Sequence, residues 1–488
     1  MPLKFVFGPS GSGKSTYLYQ HVIEESEKYP LKNFIVLVPE QFTMQTQKDL
    51  VSMHPRHGIM NIDVLSFARL AYRVFEETGT KQMQVLDDEG KNLILRKIAG
   101  DYENKLTVLK GNIKKLGYIS EVKSVISEFT QYDIGEEEMD EMLDHLDEDS
   151  RLYYKLKDIR LLYEGFQDYL RERYITKEEL LDVLNSQVKE SELLKNSVVV
   201  LDGFTGFTPV QNRLILELMR CCKEVWVTVT MDERENPYAY KHPYQLFGLS
   251  KQMVTTLVRM AGEDHIEVEE PVCLYGYPVK RFEKNQELAF LERNIFRYGS
   301  GRYDKAVENL EIHAAGNPRQ EADAVAEGIR RLVRKEQYRY RDIGVIVSDM
   351  NVYGDYLEQA FENYGIPVFM DHKRSILLNS FVEYIRSLLN MAEKNFSYES
   401  VFRFLRTNLA GFACEEVDEL ENYVLGLGIR GYKGWQNRWI RRSRGMEEEE
   451  LDRLNHYRVQ LVEKVDNLMF VLKQKRKTVR DITMAVYE

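Results

Sequence analysis

The sequence predicts an α/β fold: a parallel sheet interrupted by a helical insert, then a second α/β unit and a helical region. Three observations carry this. Short apolar runs alternate with amphipathic helical stretches at both ends of residues 1–230. The first run breaks into a glycine-rich turn, and residues 86–184 between the two ends show helical periodicity alone.

Leu3 to Phe7 is a short apolar run ending in Gly8-Pro9-Ser10-Gly11-Ser12-Gly13, after which Lys14-Ser15-Thr16 open a helical pattern reaching about Tyr29. Phe34 to Val38 reads as a buried strand stopped by Pro39, Gln41 to Val51 as a helix, and Ile62 to Leu65 as a strand running into a helix from Ser66 to about Thr78. Leu86 to Leu184 contains no strand candidate and includes a predicted helix from Arg151 to Tyr174. Strand character returns at Val198 to Leu201 and at Glu224 to Thr230, so residues 1–84 and 190–295 form one domain around an insert at 85–189. A linker near Arg297 to Val307 precedes a second α/β unit over 296–378. Its predicted order is strand Leu310 to Ala314, helix Arg319 to Lys335, strand Ile343 to Val347, helix Tyr353 to Tyr364 and strand Pro367 to Met370. Residues 379–488 read as helical. Asp481 to Glu488 stop in mid-pattern, which predicts a fragment of a longer protein.

Apolar residues at 43% and charged residues at 30% provide for packed cores and exclude a disordered chain. Lysine plus arginine (67) against aspartate plus glutamate (78) leaves −11. That excludes a basic coat over the whole surface and leaves a local basic groove open. Cys221, Cys222, Cys273 and Cys414 have no Cys-x-x-Cys spacing, so they read as reduced thiols without a metal cluster. No apolar run approaches the ~18 residues of a membrane span, and Met1 to Phe7 lacks a signal-peptide core. The expected location is the cytoplasm, with no membrane partner.

Gly8-x4-Gly13-Lys14-Ser15 matches the P-loop pattern between a predicted strand and a predicted helix. In such a loop Gly8, Gly11 and Gly13 let backbone N–H groups face phosphates. Lys14 reaches the terminal phosphates of ATP, Ser15 ligates Mg²⁺, and Thr16 continues the helix N-terminus, whose dipole favours anions. Asp202, directly after the Val198 to Leu201 strand, is the expected acidic partner on the metal. Gly203 follows it where ATP-hydrolysing motors place a glutamate that orients water, so the pattern favours nucleotide binding over turnover.

The order of these segments resembles superfamily 1 helicases of UvrD-like layout. Within that class the chain is similar to the B-subunit family of bacterial AddAB helicase-nucleases. The resemblance rests on Gly8 to Thr16, Leu37-Val38-Pro39-Glu40-Gln41, Ser66 to Arg73, Leu201-Asp202-Gly203-Phe204 with Phe207-Thr208-Pro209, and Asn317 to Ala322. It implies two RecA-like domains with a helical insert, the second domain incomplete and followed by a truncated helical region. It also implies a role in double-strand break repair by homologous recombination, binding of ATP and Mg²⁺, a heterodimer with an AddA-like subunit, and scanning of single-stranded DNA for a Chi-like sequence. The family's nuclease and iron–sulfur cluster belong to a C-terminal part that this chain lacks. The adenine-reading glutamine segment has no room before Leu3, and Met231-Asp232-Glu233 stands where a Gly-Asp-x-x-Gln segment is expected.

The helicase layout places Gln41, Thr43, Phe67, Arg69, Tyr72 and Phe204 along the single-strand groove. The aromatic faces would stack bases for about 1–3 kcal/mol each, and Arg69, Gln41 and Thr43 would bond phosphate or base edges. Packing in the core is the competing reading for Phe67 and Phe204. The basic and aromatic stretch Tyr432 to Arg444 reads first as a solvated face pairing with Glu447 to Glu450, and second as a further DNA or partner surface. Two other functions stay open: a catalytically active superfamily 1 DNA-dependent ATPase, and a small-molecule P-loop kinase.

Overall fold

The computed structural model describes residues 2–79, 84–113, 115–171, 174–299, 301–371 and 376–488. The chain divides into two compact units, Met1–Ile312 and His313–Glu488.

The first unit opens with β1 (Leu3–Gly8), α1 (Lys14–Lys28), β2 (Asn33–Leu37), α2 (Thr43–Met53), β3 (Ile62–Leu65) and α3 (Phe67–Thr78). The insert runs through β4 (Gln84–Leu86), α4 (Asp88–Asp101), α5 (Leu116–Gln131), α6 (Glu136–Asp144), α7 (Arg151–Leu170) and β5 (Tyr174–Thr176). The unit resumes with α8 (Leu180–Gln187), α9 (Glu192–Lys195), β6 (Ser197–Leu201), α10 (Pro209–Cys221), β7 (Glu224–Thr230), α11 (Gly248–Glu263), β8 (Val272–Cys273) and α12 (Gln286–Asn294).

Six strands form one parallel sheet in the order β3-β2-β6-β7-β1-β8. Strand alternation sends Leu3, Phe5, Phe7, Ile35, Leu37, Val199 and Leu201 to one face, where they pack with residues of α3, α8, α10 and α11. Val6, Phe34, Val36, Val198 and Val200 go to the other, with Leu18, Val22 and Leu50 of α1 and α2. Burial on both faces explains why these strands read as unbroken apolar runs. The register that pairs Leu37 with both Leu65 and Leu201 unites strands from the two sides of the insert.

The insert has its own core around Leu95, Ile98, Ile113, Leu162 and Phe166. Its ends are tied by β4 and β5, a parallel pair absent from the helix-only expectation. Three residues per strand are too few to show a period in sequence. A buried ion pair, Lys91 Nζ to Glu178 at 2.7 Å, fastens the same place.

The second unit contains α13 (Pro318–Lys335), α14 (Met350–Asn363), α15 (Ser380–Glu393), α16 (Tyr398–Leu405), α17 (Cys414–Leu427), α18 (Tyr432–Gln436), α19 (Glu448–Lys473) and α20 (Val479–Tyr487). The helices expected at 319–335 and 353–364 are present. The strands expected at 310–314, 343–347 and 367–370 are not: among the described residues these segments have no ladder partner. Ile312, Ile346 and Phe369 stand 99%, 98% and 89% exposed. Apolar, β-branched composition does not make a strand without a neighbour to accept its backbone hydrogen bonds. The remaining helices enclose a core of Phe396, Phe404, Leu420, Trp435 and Leu461. Among the described residues no helix is long and apolar enough to cross a membrane.

Candidate nucleotide site and DNA-facing residues

The loop between β1 and α1 is shaped by its glycines. Gly11 and Gly13 lie at φ +81° and +92°, a region that costs other residues roughly 1–2 kcal/mol. A Cβ on Gly8 would meet Ser12 Oγ at 2.4 Å. Gly13 is the N-cap of α1 and provides no side-chain cap, so the first N–H groups of the helix stay available to an anion. Lys14 folds back over the loop, donating from Nζ to the carbonyls of Gly8 and Pro9, each at 2.9 Å. Burial lowers its pKa to about 8 against the opposing pull of Asp202, with Arg281 adding to the depression.

Asp202 leaves β6 with its N–H on Leu37 O at 3.0 Å and is 5% exposed. Three hydroxyls converge on its carboxylate: Ser15 at 3.1 Å and Thr228 at 2.6 Å on Oδ1, and Tyr19 at 2.7 Å on Oδ2. Burial and this carboxylate raise the Tyr19 pKa, so the phenol remains a donor. Ser15 and Asp202 are 187 positions apart and meet because β2 pairs with β6 beside the loop strand's neighbour β7. Gly203 takes φ +79°, and its N–H donates to Thr228 Oγ1 at 3.3 Å.

A solvent-open cavity of about 490 Å³ is lined by Gly11, Gly13, Lys14, Ser15, Thr16, Asp202, Phe204 and Thr228, and also by Lys280 and Arg281. These last two were not anticipated. β8 pairs with β1 through Val6 and Phe7, and the chain then returns over the loop, where Arg281 donates its backbone N–H to Gly11 O at 3.0 Å. A Cβ on Gly11 would lie 2.8 Å from Arg281 Cβ, and one on Gly13 3.3 Å from Lys280 Cδ. A basic pair after a two-residue strand carries no local signal; only strand pairing places it here. The residues suit a polyphosphate with a divalent cation: three cations face the cavity, a hydroxyl and a carboxylate oxygen lie side by side, and the buried Ser12 Oγ has no hydrogen-bond partner among the described residues. No group of three or more His, Cys, Asp or Glu side chains among those residues could hold a metal alone, and the four cysteines are free.

The residues expected along a DNA groove separate by exposure. Gln41, Arg69 and Tyr72 are exposed, Tyr72 at 41%. Thr43 and Phe67 are buried at 6% and 7%; Thr43 donates its hydroxyl to Glu40 O at 3.0 Å, and Phe67 belongs to the core beneath α3. Phe204 is half-buried, its ring 5.4 Å from that of Phe67 and 5.2 Å from that of Phe207. Phe67 therefore contributes packing in this structure, and Phe204 borders the cavity above the loop between β1 and α1.

Residues 5–292 match the family model described as "ADDB, N-terminal", which covers more than half of the chain. The chain belongs to the AddB family. Proteins named as the B subunit of an ATP-dependent helicase/deoxyribonuclease resemble it over 93–100% of its length. That of Lachnoclostridium phytofermentans is 42% identical over 494 residues, covering all of this chain and 43% of the relative. That of Caldanaerobacter subterraneus is 36% identical, covering 93% of this chain and 39% of the relative, and that of Clostridium novyi is 33% identical, covering 100% and 42%. The chain thus spans roughly two-fifths of the length of the curated AddB relatives it matches.

Proposed function

We propose that this chain is the helicase-like part of a B subunit of an ATP-dependent helicase/deoxyribonuclease, holding a nucleoside triphosphate and single-stranded DNA without unwinding by itself. The observation that carries this reading is the contact of Ser15 with Asp202 under a lysine-bearing glycine loop, next to a Gly203 that leaves the water-orienting position empty of a carboxylate. The parallel sheet, with its loop after β1 and Asp202 after β6, supports a RecA-like P-loop domain for residues 1–84 and 190–295.

Loop N–H groups would receive the phosphates, while Lys14 exchanges two carbonyl partners for phosphate oxygens. Lys280 and Arg281 close the cationic side of the cavity. Ser15 and Asp202 would hold Mg²⁺, which neutralises phosphate charge when bound, and Thr228 and Tyr19 orient the Asp202 carboxylate. With no acceptor at Gly203 to position an attacking water, binding outlasts hydrolysis. We assign the single-strand contact to exposed Gln41, Arg69 and Tyr72 and half-buried Phe204. In the longer proteins of this family we place the nuclease and the iron–sulfur cluster outside the region corresponding to this chain. We assign the assembly to the cytoplasm, as a heterodimer with an AddA-like subunit that resects double-strand breaks for recombination and scans for a Chi-like sequence.

The test is Mg-ATP binding and DNA-stimulated ATP hydrolysis, measured side by side on wild type and Lys14→Ala. Binding that is lost in the variant, with negligible turnover in both, is expected. Hydrolysis at motor rates that disappears in Lys14→Ala would replace this reading with an active superfamily 1 ATPase.

A further inference from the structure

Residues 430–446 carry Arg430, Lys433, Arg438, Arg441, Arg442 and Arg444 and no acidic side chain, in a chain of net charge −11. All six are exposed. By sequence alone this stretch would pair with Glu447 to Glu450. The structure shows no such pairs: among the described residues only Arg438 has an ion-pair partner, Asp452 at 3.0 Å, while Glu450 turns to the N–H of Glu447 at the head of α19. A further guanidinium lies beneath. Arg458 is 6% exposed and bonds the carbonyls of Trp435 at 2.6 Å and Gln436 at 3.0 Å, with no carboxylate partner among the described residues.

The surface is also rigidly mounted. Trp439 is 6% exposed; its N–H donates to Asn455 Oδ1, its carbonyl accepts from Asn455 Nδ2, and its indole N–H donates to Gly434 O, each at 2.9 Å. Anchoring the backbone in this way lowers the ordering cost of a contact made by the arginines that flank it.

We propose that this basic loop holds the phosphate backbone of duplex DNA. Arginine matches phosphate oxygens in a bidentate fork, and uncompensated guanidinium groups gain from releasing the counterions of a duplex. The aromatic residues of the stretch exclude a base-reading role: Tyr432, Trp435 and Trp439 are 3%, 1% and 6% exposed, whereas single-strand holders pair their cations with accessible ring faces. Contacts made only by cations, with no ring to stack, read backbone rather than sequence.

The inference rests on the reading that the chain acts on DNA, and one experiment separates the two. Anisotropy binding of the 488-residue chain to a blunt hairpin duplex without unpaired ends, and to an unpaired oligonucleotide, is measured across a salt series. In R441A/R442A/R444A, duplex affinity should fall about tenfold or more at ~0.1 M salt. The log–log salt slope should become shallower by about 2–3, at about 0.9 per phosphate contact. Single-strand affinity should stay unchanged, and R441K/R442K/R444K should keep most of the slope. A duplex slope and affinity unmoved by the triple alanine substitution would overturn this proposal alone, as would a wild-type chain that binds single strands and no duplex. A chain that binds neither removes both readings.

Discussion

The sharpest consequence of the site concerns protons. Lys14 has its pKa lowered to about 8 because burial largely withdraws it from water, with Arg281 adding to the depression and Asp202 opposing it. Triphosphate oxygens favour the charged form, so a bound nucleotide should return that pKa at least to the ordinary lysine value. Binding therefore takes up a proton wherever the free protein has released one, that is, above about pH 8. The free protein's deprotonated fraction sets the magnitude. At about pH 7 it reduces affinity by a negligible factor, and at about pH 9 by roughly tenfold, or about 1.4 kcal/mol. Titration calorimetry of Mg-ATP at about pH 7, 8 and 9, in buffers of different ionisation enthalpy, reads both affinity and proton uptake. Lys14→Arg keeps its charge throughout and should show a flat profile, whatever its absolute affinity. A wild-type affinity that is level from about pH 7 to 9, or no proton uptake at about pH 8.5, would refute the argument that burial governs this lysine.

Three further outcomes can be checked. Gly203→Glu restores the carboxylate of an active motor on paper, but at φ +79° it should cost roughly 1–2 kcal/mol in denaturant unfolding and bring no gain in DNA-stimulated hydrolysis; a gain at wild-type stability would show that the backbone relaxes. Phe67→Ala should destabilise the fold by about 3–5 kcal/mol as a core deletion. Tyr72→Ala, at an exposed position, should leave the melt within about 0.5 kcal/mol and weaken single-strand binding by about 1–3 kcal/mol. The reverse pattern in melting and oligonucleotide titrations would exchange their roles.

Much of the first unit was legible because its signals are local. The glycine spacing, the apolar runs of β1, β2, β6 and β7, Lys14 and Ser15 at a helix start, and Asp202 at a strand end follow from steric and solvation rules acting on neighbours. The β4 and β5 pair was missed because three residues show no period. The second unit misled for a related reason: 343–347 and 367–370 have the composition of strands and, among the described residues, no ladder partner to make them so. Phe67 shows the same limit at a single residue, since an aromatic at the head of a helix serves equally as a stacking face or as core, and only its 7% exposure decides.

The sequence by itself thus determined the residues on offer: a glycine loop bearing Lys14 and Ser15, an aspartate at a strand end, and a glycine directly after it. Tertiary structure alone decided which further groups join the expected pair of Ser15 and Asp202. Strand pairing joins residues distant in the chain, which is how Ser15 meets Asp202, Tyr19 and Thr228 close around that carboxylate, and Lys280 with Arg281 comes to rest on the glycines of the loop. For Lys280 and Arg281 no local property encodes this proximity; it arises from the order β7-β1-β8, set by burial of the whole sheet.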